Sequence, residues 1–74
     1  MVVKNIGSNM TEVETKLGTF LVSYSTPVAA CMNDGTGFIK TNKKWSVTTS
    51  KHINKWLGGA KAKDVDQSIL DNLL

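Results

Sequence analysis

Thr19-Phe20-Leu21-Val22-Ser23-Tyr24 is the stretch from which the fold is read. Side chains alternate along a strand, so Phe20, Val22 and Tyr24 take one face and Thr19, Leu21 and Ser23 the other. Lys16-Leu17-Gly18 ahead of it supplies a tight turn, with Gly18 free to adopt positive φ. Pro27 behind it ends the strand, because proline has no N–H for the ladder.

Strands extend in both directions from this segment. Upstream, Val2 to Ile6 and Met10 to Thr15 are strand-like and are broken by Gly7-Ser8-Asn9, giving one bent strand or two short ones. Downstream, Val28 to Met32 is small and apolar on both faces, which predicts a central strand. Asn33-Asp34-Gly35-Thr36-Gly37 is a hairpin loop, and Phe38 to Thr41 returns from it. Lys44 to Val47 continues as an extended piece, with Trp45 and Val47 toward the core and Ser46 outward.

The period then changes. Thr48-Thr49-Ser50 is a hydroxyl run suited to a helix N-terminus, and a helix is predicted over 49–57. Ile53, Trp56 and Leu57 share one face of it, Lys51 and Lys55 lie opposite, and His52 sits at the border. Gly58-Gly59 stops it. A second helix is predicted over 64–74, with Asp64 and Gln67 as a capping box, Asp66 complementing the dipole, and Val65, Ile69, Leu70, Leu73 and Leu74 as an apolar stripe. The expected fold is α+β: a small antiparallel β-meander of three to five strands over 1–47, followed by two short helices packed on one face. Trp45, Ile53, Trp56 and Leu57 would pack toward Phe20, Val22, Tyr24 and Phe38. The last helix completes this core or makes a homodimer.

The 74 residues are enough for a single domain, 1–74. Such a domain buries only about 60% of its unfolded surface, so its stability is modest. A hydrophobic fraction of 41% with 20% charged residues describes a globular chain. Cys31 stands alone and forms no internal disulfide. No export signal pattern opens the sequence, and the longest apolar run, Val28 to Met32, is far short of the roughly 20 residues that span a bilayer. The expectation is a protein of the reducing cytoplasm with no membrane partner, in which the Asn9-Met10-Thr11 glycosylation pattern has no meaning.

Net charge is +3, and all nine cations are lysine. Five of them, Lys40, Lys43, Lys44, Lys51 and Lys55, fall between Ile39 and Ala60, where there is no acid. The flanking segments each carry one more acid than lysine. The basic segment also holds both tryptophans and the one histidine.

Gly18-Thr19-Phe20-Leu21-Val22-Ser23-Tyr24-Ser25-Thr26-Pro27-Val28-Ala29-Ala30, followed by Lys44-Trp45-Ser46-Val47-Thr48-Thr49-Ser50-Lys51-His52-Ile53-Asn54-Lys55-Trp56-Leu57, resembles a group of short uncharacterised proteins encoded by tailed bacteriophages. The second block is the more specific, because it combines two tryptophans, a hydroxyl run and His-Ile-Asn in order. The resemblance implies a viral accessory protein acting in the host bacterial cytoplasm. It brings no activity, cofactor or catalytic residues.

Five groups of residues are candidate sites. Cys31 with His52 is a weak nucleophile–base pair, because Cys31 lies in an apolar strand and nothing marks a third group to orient the imidazole. One histidine and one cysteine are too few for a zinc site, and Asp34, Asp64 and Asp66 do not fit a calcium loop. Ser46, Thr48, Thr49, Ser50 and Lys51 offer an anion site at a helix start, although ordinary capping explains the same run. Lys40, Lys43, Lys44, Lys51 and Lys55 form a polyanion patch if strand end and helix start are neighbours, and a solvated face otherwise. Trp45 and Trp56 could stack on single-stranded bases, but their spacing favours core packing.

The sequence therefore predicts a protein that is not an enzyme and has no cofactor or metal. It would engage nucleic acid through Lys40, Lys43, Lys44, Lys51 and Lys55, assisted by Thr49 and Ser50. The alternative is a protein-interaction module, a host-factor inhibitor or self-assembling protein, that uses Ile69, Leu70, Leu73 and Leu74 or a sheet edge against a host or phage protein.

Overall fold

Strand β3, Gly18–Ser23, is sealed on both faces, and this sets the layering. Phe20 and Leu21 are neighbours in sequence, point to opposite sides of the sheet, and are both fully buried. A sheet whose middle strand is apolar on both faces needs a cover on each. The computed structural model, which describes all residues 1–74, supplies one helix for each face.

The other strands are β1 (Val2–Gly7), β2 (Met10–Glu14), β4 (Thr26–Met32), β5 (Gly37–Thr41) and β6 (Lys63–Val65). The six form one sheet in chain order. Neighbours are antiparallel except β6, which runs parallel to β5 with Lys40 opposite Asp64. Helix α1 (Val47–Leu57) lies in the β5–β6 crossover, and α2 (Gln67–Leu73) follows β6. A parallel pair requires such a crossover, and the crossover helix lands on the face carrying Leu21.

Two cores result. Ile53 of α1 packs with Met10, Leu21, Val28 and Ala29, flanked by Trp56 and Leu57. Leu70 of α2 packs with Val13, Phe20, Val22, Ala30 and Ile39 on the opposite face. Val28 and Ala29 are consecutive yet join the same core. A bulge causes this: Leu21 pairs with Ala29 and Val22 with Pro27, leaving Val28 as the extra residue. The bulge also accommodates Pro27, which lies inside β4 rather than closing β3, just beyond the stretch of β4 that pairs with β5.

Gly18 is fixed by space. A Cβ there would collide with the backbone carbonyl oxygen of Cys31 on β4. In the β4–β5 loop, hydrogen bonds from the Thr36 side chain and backbone hold the Asp34 carboxyl below its ordinary pKa. A lowered carboxyl pKa favours the folded loop above the ordinary carboxylate range, and that contribution fades as pH falls through it.

The structure corrects several expectations. There are six strands, not three to five, because Val2–Gly7 and Met10–Glu14 form a hairpin and Lys63–Val65 adds an edge. The helices cover opposite faces rather than one. The first helix begins at Val47, capped by Ser46, and not at 49. The second begins at Gln67 and not at 64, because the open side of β5 offers Lys63–Val65 ladder partners, and Asn42 N also donates to Val65 O at 2.8 Å. The Asp64–Gln67 capping box is therefore absent, and Asp66 takes the N-cap position without a side-chain bond. Lys44 to Val47 forms no strand; Val47 and Trp45 are exposed. Tyr24 leaves the strand for the β3–β4 turn, so it does not join Phe20 and Val22 in the core.

Leu70→Ala should cost about 2–5 kcal/mol, whereas Ile69→Ser, one position along α2 and exposed, should stay within about 0.5 kcal/mol. Urea unfolding midpoints check both.

Candidate nucleic-acid interface

The site is built where β5 runs out and α1 begins. Three lysines converge there: Lys40 from β5, and Lys43 and Lys44 from the connecting segment. They line a groove of about 270 Å³ whose opposite wall is Ser50 and Asn54 of α1. Asp64 of β6 also lines it and lies 3.9 Å from the Lys40 ammonium. Both side chains are well exposed, so the pair contributes little. With one acid against three lysines, the groove keeps a positive surplus.

Lys51 and Lys55 do not line this groove. Each follows a groove-wall residue, Ser50 or Asn54, by one helical position, or about 100° of rotation. That puts them on the solvent side of α1, opposite Ile53, where they flank the groove. Thr49 is withdrawn from the expected site altogether. It is buried, and its hydroxyl is used internally.

That internal use anchors α1. Thr49 N donates to Ser46 Oγ at 3.1 Å, satisfying a free amide of the first turn. Ser46 Oγ donates to Thr49 Oγ1 at 3.3 Å. Thr49 Oγ1 lies 3.2 Å from Ser23 Oγ, which lies 2.9 Å from His52 Nδ1. A continuous chain of hydroxyls thus runs from Ser46 through Thr49 and Ser23 to His52 Nδ1. The chain ties α1 to β3 through the buried, partnered hydroxyls of Ser23 and Thr49. It also occupies His52 far from Cys31, since Cys31 pairs with Thr19 at the other end of β3. No cluster of three or more His, Cys, Asp or Glu side chains could hold a metal.

Two aromatics stand exposed near the start of α1, Trp45 next to groove-lining Lys44 and Tyr24 on the His52 side of the helix. Trp45 is 42% exposed, with the Lys43 ammonium 4.1 Å from its ring centroid. Its position is nonetheless fixed. Trp45 Nε1 donates to Gln67 Oε1 at 3.1 Å, while Gln67 Nε2 donates to Pro27 O at 2.7 Å and to Asp71 Oδ1 at 3.0 Å. The indole can only donate and the carbonyl and carboxylate can only accept, so the amide has one satisfactory orientation. Tyr24 is 55% exposed, with its ring centroid 6.1 Å from that of His52. Both aromatics line a cleft of about 370 Å³ floored by Val28 and the hydroxyls of Ser23, Thr26, Ser46 and Thr49.

Trp56 behaves as its spacing predicts. It is half-buried against Phe38, edge to face at 5.9 Å, and its Nε1 donates to Glu12 Oε2 at 2.9 Å. Among the apolar contact candidates, Ile69 and Leu74 are exposed and Leu73 is half-buried, but Leu70 is sealed in the core and offers no surface.

Sequence reasoning missed Tyr24 and Gln67. An aromatic in a two-residue turn breaks the usual turn chemistry, and Gln67 has no local signature for its two long-range bonds, to Trp45 and Pro27.

The chain belongs to DUF8033, a family of unknown function, whose sequence model matches residues 1–72. The match runs from β1 into the last turn of α2, so it takes in the whole sheet, α1 and nearly all of α2. No curated protein and no solved structure matches the chain.

Gln67→Met should cost about 1 kcal/mol through the lost hydrogen bonds. It should speed solvent exchange of the Trp45 indole proton while leaving that of Trp56, bonded to Glu12, unchanged. Indole N–H resonances followed by NMR check both residues in one sample.

Proposed function

We propose that this protein is a small, non-catalytic, phage-encoded accessory module that binds single-stranded nucleic acid along the Lys40–Lys43–Lys44 groove, in the host bacterial cytoplasm. The phage setting rests on the resemblance of residues 18–57 to tailed-phage proteins. No helix is long and apolar enough to cross a membrane.

The observation that carries the reading is Trp45. An exposed indole held in place among lysines has the composition of a single-strand binding surface, where ammonium groups track phosphates and an aromatic face takes a base. Ser50 and Asn54 add neutral donors on the opposite wall. The absence of arginine in the chain removes bidentate reading of guanine, so recognition is largely independent of sequence.

Affinity for a single-stranded oligonucleotide should fall with salt with a log–log slope between about −2, if only the groove lysines engage phosphates, and about −3.5, if Lys51 and Lys55 join them. Lys43→Glu and Lys44→Glu should weaken binding more than Lys51→Glu and Lys55→Glu. Fluorescence anisotropy across a salt series measures all of this. Binding that ignores both salt and the groove lysines removes the proposal.

A second reading rests on β1. All six of its residues are exposed, its outer edge is unpaired, and Val2 and Val3 are 56% and 64% exposed. An apolar, open edge invites a further strand. The partner proposed is a second copy of this chain, continuing the sheet through β1. Mass in solution should then report a dimer that Val3→Lys dissociates; an unchanging monomer removes this reading.

A further inference from the structure

We infer that the cleft between the β3–β4 turn and the start of α1 is a pocket for one unstacked nucleobase, with Tyr24 and Trp45 as its stacking surfaces. This inference rests on the single-strand reading above and assigns the base-binding element of that surface.

The chemistry of the lining identifies the occupant. No charged side chain lines the cleft. Its walls are aromatic and its floor combines Val28 with hydroxyls. A flat, neutral, amphipathic ring matches this: its faces stack on Tyr24 and Trp45, and its polar edge meets the Thr26 hydroxyl, the one floor hydroxyl outside the chain to His52. A sugar ring shares some of these features. The neighbouring lysines favour the base, because Lys44 stands beside Trp45 and Ser46 in an adjoining hollow and places positive charge where the strand's phosphates would run.

Tyr24 gives an independent reason. Its φ is 59°, a left-handed conformation that bulky side chains avoid and glycine adopts freely. The turn would fold more easily with glycine, yet an aromatic stands there, largely in solvent, at the mouth of the cleft. Backbone strain of this kind persists where a side chain is held for a purpose other than stability. Trp45 tells the same story: the Gln67 amide holds its indole in place while leaving the ring partly in solvent.

The test compares an oligothymidylate with an abasic strand of equal length and charge, using the full chain and its Tyr24→Gly, Trp45→Ala and Lys43→Glu variants. The wild type should prefer the base-bearing strand by roughly five- to a hundredfold. Tyr24→Gly should melt at the same or a higher temperature and lose most of that preference, leaving abasic binding unchanged. Trp45→Ala should also lose it. Lys43→Glu should weaken both strands alike.

If Tyr24→Gly and Trp45→Ala keep the full preference, or if the wild type binds both strands equally, the pocket is overturned while the lysine groove stands. If neither strand binds, groove and pocket fall together. Saturable binding of a neutral oligosaccharide in place of the thymidylate also overturns the base assignment.

Discussion

Burial of adjacent side chains on opposite faces of β3 is the constraint from which the rest follows. Phe20 and Leu21 both lie out of water, so neither side of the sheet can be left open. In a chain this short, each face receives a single helix. The helix for the Leu21 face must come from the β5–β6 crossover, and the helix for the Phe20 face from what remains after β6. The place where the chain leaves β5 to begin α1 thus becomes a corner between sheet and helix. The basic groove and the aromatic cleft both lie there.

Two hydrogen-bond systems hold that corner. The hydroxyl chain from Ser46 through Thr49 and Ser23 to His52 fixes α1 on β3 from within. The Gln67 amide ties Trp45 to β4 and to α2 from the other side of the molecule. Polar groups that might have met a ligand directly, Thr49 above all, are instead consumed in positioning. What remains exposed is lysine and aromatic surface whose placement is settled before any ligand arrives, and such preorganisation reduces the ordering cost of binding.

Much of the fold is legible in the sequence. The period of two over residues 19–24, the small apolar run of β4 and the change of period before Lys51 identify the β-rich half, the central strand and the first helix. The layering is hidden because Leu21 is read as the outer face of a one-sided sheet, when Ile53 of α1 covers it beside Val28 and Ala29. A bulge leaves no composition signal beyond Pro27. β6 is hidden because three residues pairing with a distant strand override local helix signals. The basic segment is legible as a charge asymmetry, but its division into groove lysines and flanking lysines is a matter of helix phase against a neighbouring strand. Trp45 reads as core because its segment is taken for a strand; once the chain turns there, the indole faces outward.

The electrostatic and stacking parts of the surface adjoin one another, which gives the account a single spatial signature. Amide chemical shifts recorded while a single-stranded oligonucleotide is titrated into the protein test it most directly. The account predicts that the largest changes fall on Tyr24, Lys43, Lys44, Trp45 and Ser50 and spare β1 and the exposed side of α2. Changes concentrated on Val2–Gly7, or spread evenly over all nine lysines, would contradict it.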